Sequence, residues 1–212
     1  IRLIKDSTRR PLKIPSLFLT FLIGSGLYAQ DGEQEEKSVA ISEERALEIS
    51  REINAHQTGI EEIQTKIGIY DQSLIEAYSS LAEIYNEIED YENASAIFLD
   101  ALQVARINTG LYSAEQIPLV RLLIKNKIGA KEWRSADDFH ELEYLISSRV
   151  FAPMDAEHLK AIESYGAWKL RVIRENLFNQ SGQSLLLTAG EVSSFYNRVI
   201  DNVEQEAGLQ NK

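Results

Sequence analysis

A few cations stand out in a strongly acidic chain. The sequence holds 33 Asp and Glu against 22 Lys and Arg, a formal net charge of −11. Against that background Arg121, Lys125, Lys160 and Arg171 read as a basic cluster. A guanidinium forks onto a carboxylate and an ammonium adds a point charge, so these residues suit the grip of a carboxylate or an acidic peptide. Asn86 and Ser164 add polar groups to the set, and Trp168 is its candidate anchor, because exposed tryptophans often carry binding energy. Two alternatives stand beside this reading: a solvated helix face for the cations, and a core position for Trp168.

Other chemistry finds little support. His56, His140 and His158 share no ligand spacing, and the pair of histidines four apart that a zinc helix needs is absent, so no metal site is expected. There is no Gly-rich phosphate loop, no G-x-S-x-G elbow and no EF-hand loop, so neither catalytic nor cofactor-binding residues are expected. Asp137-Asp138 and the Glu33, Glu35, Glu36 run read as solvated charge. The chain has no cysteine, which excludes thiol nucleophiles, disulfides and Cys-rich zinc sites. Its acidity argues against nucleic acid and against anionic membrane surfaces as partners.

The elements that would position the cluster are helices. Hydrophobic residues make up 44% of the chain and prolines number only 4. Helix is therefore favoured over sheet. The clearest stretch is Gly68 to Leu102. Leu74, Ala77, Tyr78, Leu81, Ala82, Tyr85 and Ile88 form one apolar stripe, predicting a helix over about 72–88. Glu89-Asp90 is a polar turn. Tyr91, Ala94, Ile97, Phe98, Ala101, Leu102 and Ala105 predict a second helix over about 91–107. The alanines allow close backbone approach and the aromatics fill the space between.

This run resembles a tetratricopeptide repeat. Tyr78, Leu81, Ala82, Tyr85, Tyr91, Ala94, Phe98 and Ala101 occupy the signature offsets of that family. Glu89 departs from it, standing where the family usually has Gly. A second copy follows 42 residues later: Gly68-Ile69-Tyr70 recurs as Gly110-Leu111-Tyr112, Leu81 as Leu123, Tyr91 as Trp133 and Ala94 as Ala136. The long period is similar to that of kinesin-light-chain-like repeats. The copy is degenerate, with Lys127, His140 and Glu143 in place of Tyr85, Phe98 and Ala101, and Phe139, Leu145 and Ile146 expected to fill the core. A weaker third unit starts at Val150-Phe151. Leu159, Ile162, Tyr165, Leu170, Ile173 and Leu177 stripe one long helix, and Leu185 to Val203 forms a last helix that reads as a terminal cap.

The chain opens differently. Arg2, Lys5, Arg9, Arg10 and Lys13 precede the uncharged run Ile14 to Ala29, and an acidic segment follows. That order predicts a cleaved secretory signal over 1–29, the apolar run being short for a membrane span. Residues 30–41 read as a flexible linker. Ser42 then caps a helix over 42–67, kinked or divided near Gly59.

The expected architecture is all-α: a right-handed α-α superhelix of two to three helical hairpins with flanking helices. Its repeat domain covers 68–208, in units 68–109, 110–149 and 150–208. The resemblance implies peptide or protein binding in a groove lined by the first helix of each repeat. That face carries Glu76, Ser79, Glu83 and Asn86, then Arg121, Lys125 and Asn126, then Lys160, Ser164, Trp168 and Arg171. The expected function is a non-enzymatic scaffold of the bacterial envelope, exported and without a membrane span after cleavage. Alternatives are a self-assembling or structural module, such as a homo-oligomer or a fragment of a larger protein, and an enzyme on an α-solenoid.

Overall fold

The computed structural model describes residues 32–206 and 208, with the backbone alone for 32–41 and 206. The signal expected over 1–29 lies outside the described residues. The chain divides into two compact units, Ile1–Glu43 and Glu44–Lys212. The described part of the first is the opening of one helix, and the rest of this section concerns the second.

Among the described residues the fold is all-α, with no strand. Seven helices follow one another: α1 (Gly32–Lys66), α2 (Ser73–Glu87), α3 (Tyr91–Thr109), α4 (Ile117–Gly129), α5 (Trp133–Val150), α6 (Ala156–Glu175) and α7 (Gly182–Glu206). A single 3-10 turn, Ala114–Gln116, leads into α4. From α2 onward each helix packs on the next, so the contacts are those of consecutive hairpins. Short turns impose this order, because they leave successive helices antiparallel neighbours.

The helix boundaries lie close to those expected, with one correction. α1 starts at Gly32, so residues 32–41 are helix where a linker was expected. No proline interrupts that stretch, and Glu, Gln, Lys and Ala are good helix formers. Nor does Gly59 divide α1, which costs the helix only about 1 kcal/mol relative to Ala.

The residues of the repeat signature are packing residues. Leu81, Ala82, Tyr85, Ala94, Phe98 and Ala101 are buried. They belong to one core that also takes in Ile60 of α1, Leu123 of α4 and Ile146 of α5. Each fully buried Leu or Phe stabilises the fold by about 1.5–3 kcal/mol. Two hydrogen bonds from side-chain amides tie α1 to α2: Gln64 Nε2 donates to Tyr78 Oη at 2.7 Å, and Gln57 Nε2 to Tyr85 Oη at 3.5 Å.

The turns repeat as well. Glu89 has φ 61° and Lys131 has φ 58°, both left-handed and 42 residues apart. After each, a tyrosine or tryptophan opens the next helix. Asp90 caps α3 through Asn93 N–H at 3.3 Å.

The seam between α5 and α6 is polar and aromatic. Trp168 Nε1 donates to Asp137 Oδ1 at 2.9 Å, Ser164 Oγ lies 3.3 Å from His140 Nδ1, and Ser147 Oγ lies 3.1 Å from His158 Nδ1. These pairs run down the two helices in antiparallel order. His140 and Glu143 therefore stay inside, although they replace core residues of the first copy. Both are buried, at 7% and 2% exposure. Phe139 packs partly buried beside the main core, and Ile146 is fully buried.

Candidate binding cleft

One turn of α4 after another faces the same way at Arg121, Ile124, Lys125 and Ile128. That spacing of three, one and three keeps all four on one helix face. Lys160 and Ser164, one turn apart on α6, face them, and Glu143 of α5 lies between. Together these seven residues line a cleft of about 410 Å³. Four of the seven expected site residues, Arg121, Lys125, Lys160 and Ser164, are thus brought together.

The cations differ in availability. Arg121 is held twice: its Nε lies 2.6 Å from Glu143 Oε1 and its Nη2 3.0 Å from Glu157 Oε2. Lys160 stands 3.9 Å from the other oxygen of Glu157 and is 59% exposed. Lys125 is exposed and has no ion-pair partner among the described residues. Ile124 and Ile128 give the cleft an apolar lining beside the ammonium groups. The cleft thus sets exposed ammonium groups beside apolar side chains.

Ser164 links the cleft to the seam. Its Oγ lies 3.3 Å from Glu143 Oε2 and 3.3 Å from His140 Nδ1. A hydroxyl has one proton; donated to Glu143, it leaves the oxygen to accept from His140 Nδ1–H. Burial, with the Lys169 charge, holds the His140 imidazole down to about 4 against a pull upward from Asp137. An imidazole with so low a pKa is a weak base near neutrality. Asp137, the acid that pulls it upward, already accepts from Trp168 Nε1 and from Lys169 Nζ at 2.6 Å. The Ser–His pair is thereby a positioning contact rather than an activated nucleophile.

The other three expected site residues are elsewhere. Trp168 is 3% exposed, stacked on His140 with ring centroids 4.9 Å apart, and it joins Ala136 and Val172 in a small core. This corrects the reading of Trp168 as an exposed anchor: its indole has an acid partner and an aromatic neighbour inside the fold. Arg171 is set apart from the cleft. Its Nε pairs with Glu175 at 3.0 Å and its guanidinium lies 5.7 Å from the Trp133 ring. Asn86 is bound into the α2–α4 contact, accepting from Asn126 Nδ2 at 3.0 Å. Asn126 is itself fully buried and also donates to the Tyr91 carbonyl at 3.0 Å, so it belongs to the packing and not to an open groove. Glu76, Ser79 and Glu83 of α2 do not line the cleft either.

Sequence reasoning passed over Ile124, Ile128 and Glu143. The isoleucines were legible, since they interleave with Arg121 and Lys125 on one helical face. Glu143 stood at the core position of Ala101 in the second copy, but a glutamate there shows neither that it stays inside nor that it borders a cleft. Among the described residues no group of three His, Asp or Glu side chains is placed to hold a metal ion, and no helix is long and apolar enough to cross a membrane. No protein-family model matches this chain, and no curated protein matches it.

Proposed function

We propose that this chain is a non-enzymatic interaction protein whose α4–α6 cleft binds an extended acidic segment of a partner protein. The observation that carries the reading is the convergence of Arg121, Lys125, Lys160 and Ser164 on one cleft with Ile124 and Ile128, in a chain of net charge −11. An acidic protein keeps acidic partners away everywhere except at such a site, so local charge supplies specificity as well as attraction. Arg121 serves as the fixed member, held by two carboxylates, while Lys125 and Lys160 meet the ligand. The helical hairpins are read as tetratricopeptide-like repeats, and the basic-then-apolar leader as a signal for export to a bacterial envelope.

The test is a fluorescence anisotropy titration of the full chain with labelled Glu/Leu-rich and Lys/Leu-rich peptides. Wild type is expected to prefer the acidic peptide, and Lys125→Glu/Lys160→Glu to lose at least tenfold in affinity. Raised salt is expected to weaken the wild-type interaction. Equal binding of both peptides, or no change in the double variant, would remove the proposal.

A further inference from the structure

Three connections, taken with the helix ends that enter them, lie along one edge of the hairpins: residues 66–71 at the junction of α1 and α2, 106–115 at that of α3 and α4, and 149–155 at that of α5 and α6. Their adjacency is direct. Asn108 Nδ2 donates to the Tyr70 carbonyl at 2.9 Å, joining the first to the second. The Arg149 guanidinium lies 4.1 Å from the centre of the Tyr112 ring, joining the second to the third. The remaining turns, at Glu89, at Lys131 and after Glu175, fall at the opposite ends of the helices.

This edge is apolar and open. Ile69 is 55% exposed, Tyr70 51%, Leu111 70%, Val150 37% and Met154 52%, and Tyr112 is exposed beside them. Counted with the helix ends that enter them, these junctions hold half of the exposed large apolar side chains among the described residues. The chain reaches this arrangement twice by the same device, a glycine of positive φ followed by an apolar pair. Gly68 has φ 154° and Gly110 has φ 89°. Neither pair belongs to the core, whose nearest members along the chain, Leu74, Val104 and Ile117, are buried.

The charges of the edge follow a pattern too. Each connection has one cation before its apolar residues and one carboxylate after them: Lys66 and Asp71, Arg106 and Glu115, Arg149 and Asp155. The cations close α1, α3 and α5 and the carboxylates open α2, α4 and α6, as helix dipoles favour. Over these six groups the charges balance, with the cations on the side of α1, α3 and α5, where Lys66 also pairs with Glu62 at 2.8 Å, and the carboxylates on the side of α2, α4 and α6.

We infer that this edge pairs with the same edge of a second copy of the chain. Two copies at −11 each repel over most of their surface, and a neutral apolar strip is where they approach without that cost. Turning one copy about an axis along the strip lays its basic side on the acidic side of the other, and the contact is then self-complementary, as a two-fold interface requires. The three connections hold about two dozen residues, matching the roughly 20–30 a side of a standard interface. The cleft residues lie off this edge, so pairing and peptide binding are independent.

Sedimentation velocity of the full chain across a hundredfold concentration range tests this. Wild type is expected to move from one to two chain masses. Tyr70→Ser/Leu111→Ser, at exposed positions, is expected to stay at one mass with an unchanged circular dichroism spectrum. Lys66→Glu/Arg149→Glu is expected to weaken the dimer at least tenfold. A chain that is monomeric at every concentration overturns the inference, as does a dimer that survives the serine variant. A monomer that instead floats with phosphatidylethanolamine–phosphatidylglycerol vesicles, and loses them through Leu111→Ser, assigns the edge to a lipid surface and also overturns it.

Discussion

Arg121 Nε and Glu143 Oε1 stand 2.6 Å apart, joining α4 to a carboxylate on α5 that is 2% exposed. This contact makes Arg121 a structural residue at the rim of the α4–α6 cleft. A buried carboxylate stripped of its partner is expensive, whereas removing both charges together is not. Arg121→Met is expected to lower stability by about 3 kcal/mol. Arg121→Met/Glu143→Leu is expected to recover most of that loss. Urea denaturation of the three proteins measures it, and a single variant as stable as wild type would show that the pair is incidental. Binding studies of the cleft therefore belong on Lys125 and Lys160, which can be changed without exposing this dependence.

Acid sensitivity should trace to His140. Its imidazole takes up a proton near 6.5 when unfolded but only near about 4 when folded, because burial disfavours the charged form. Between these values the unfolded chain binds more protons. Stability is thus complete above pH 6.5 and falls as pH drops toward 4. From pH 7 to pH 5 the loss from this residue is expected to be about 2 kcal/mol. His158 is also lowered by burial, with Asp155 opposing, and adds in the same direction. His140→Phe restores the aromatic of the first repeat and is expected to flatten the pH dependence. Urea midpoints at pH 7 and pH 5 for both proteins decide it, and an equal drop in the variant would clear His140 of the effect.

The two left-handed turns offer a gain. Glu89 and Lys131 hold φ near +60°, a region that strains a residue with a Cβ and suits glycine. Glu89→Gly and Lys131→Gly are each expected to raise stability by about 0.5–1 kcal/mol, and additively, since they lie in separate turns. Thermal melts of the singles and the double check this. A melting temperature lowered by either change would mean that the side chain contributes more than the strain removes.

Gly166 of α6 leaves room for the phenol of Tyr196 on α7. A Cβ at this position would overlap the phenol of Tyr196. Gly166→Ala is expected to cost about 1–3 kcal/mol by overpacking. In a Tyr196→Leu background the same change is expected to be nearly neutral. A double-mutant cycle reads the coupling directly, and additive costs would place the strain elsewhere.

The helices were legible in the sequence because helical packing leaves a local record. Leu81, Ala82, Ala94, Phe98 and Ala101 recur at spacings that only one helical face explains, and all of them are buried. Glu89 betrayed its turn by standing where a glycine is expected, and Lys131 repeats it 42 residues on. Half of the cleft was legible for the same reason: Arg121 and Lys125, and Lys160 and Ser164, are each one turn apart.

The sequence by itself determined the helices, their repeat and the excess of acid that makes a basic cluster informative. Tertiary structure decided which polar residues are free. Trp168, His140 and Glu143 look alike in sequence to exposed residues of the same type. Their burial depends on partners 31 and 22 positions away, Asp137 for the indole and Arg121 for the carboxylate. Such pairings have no local period, since they arise only when α4, α5 and α6 are laid side by side. The same holds for the open edge: Ile69, Leu111 and Met154 are ordinary apolar residues in sequence, and only the stacking of the hairpins turns them outward in one row.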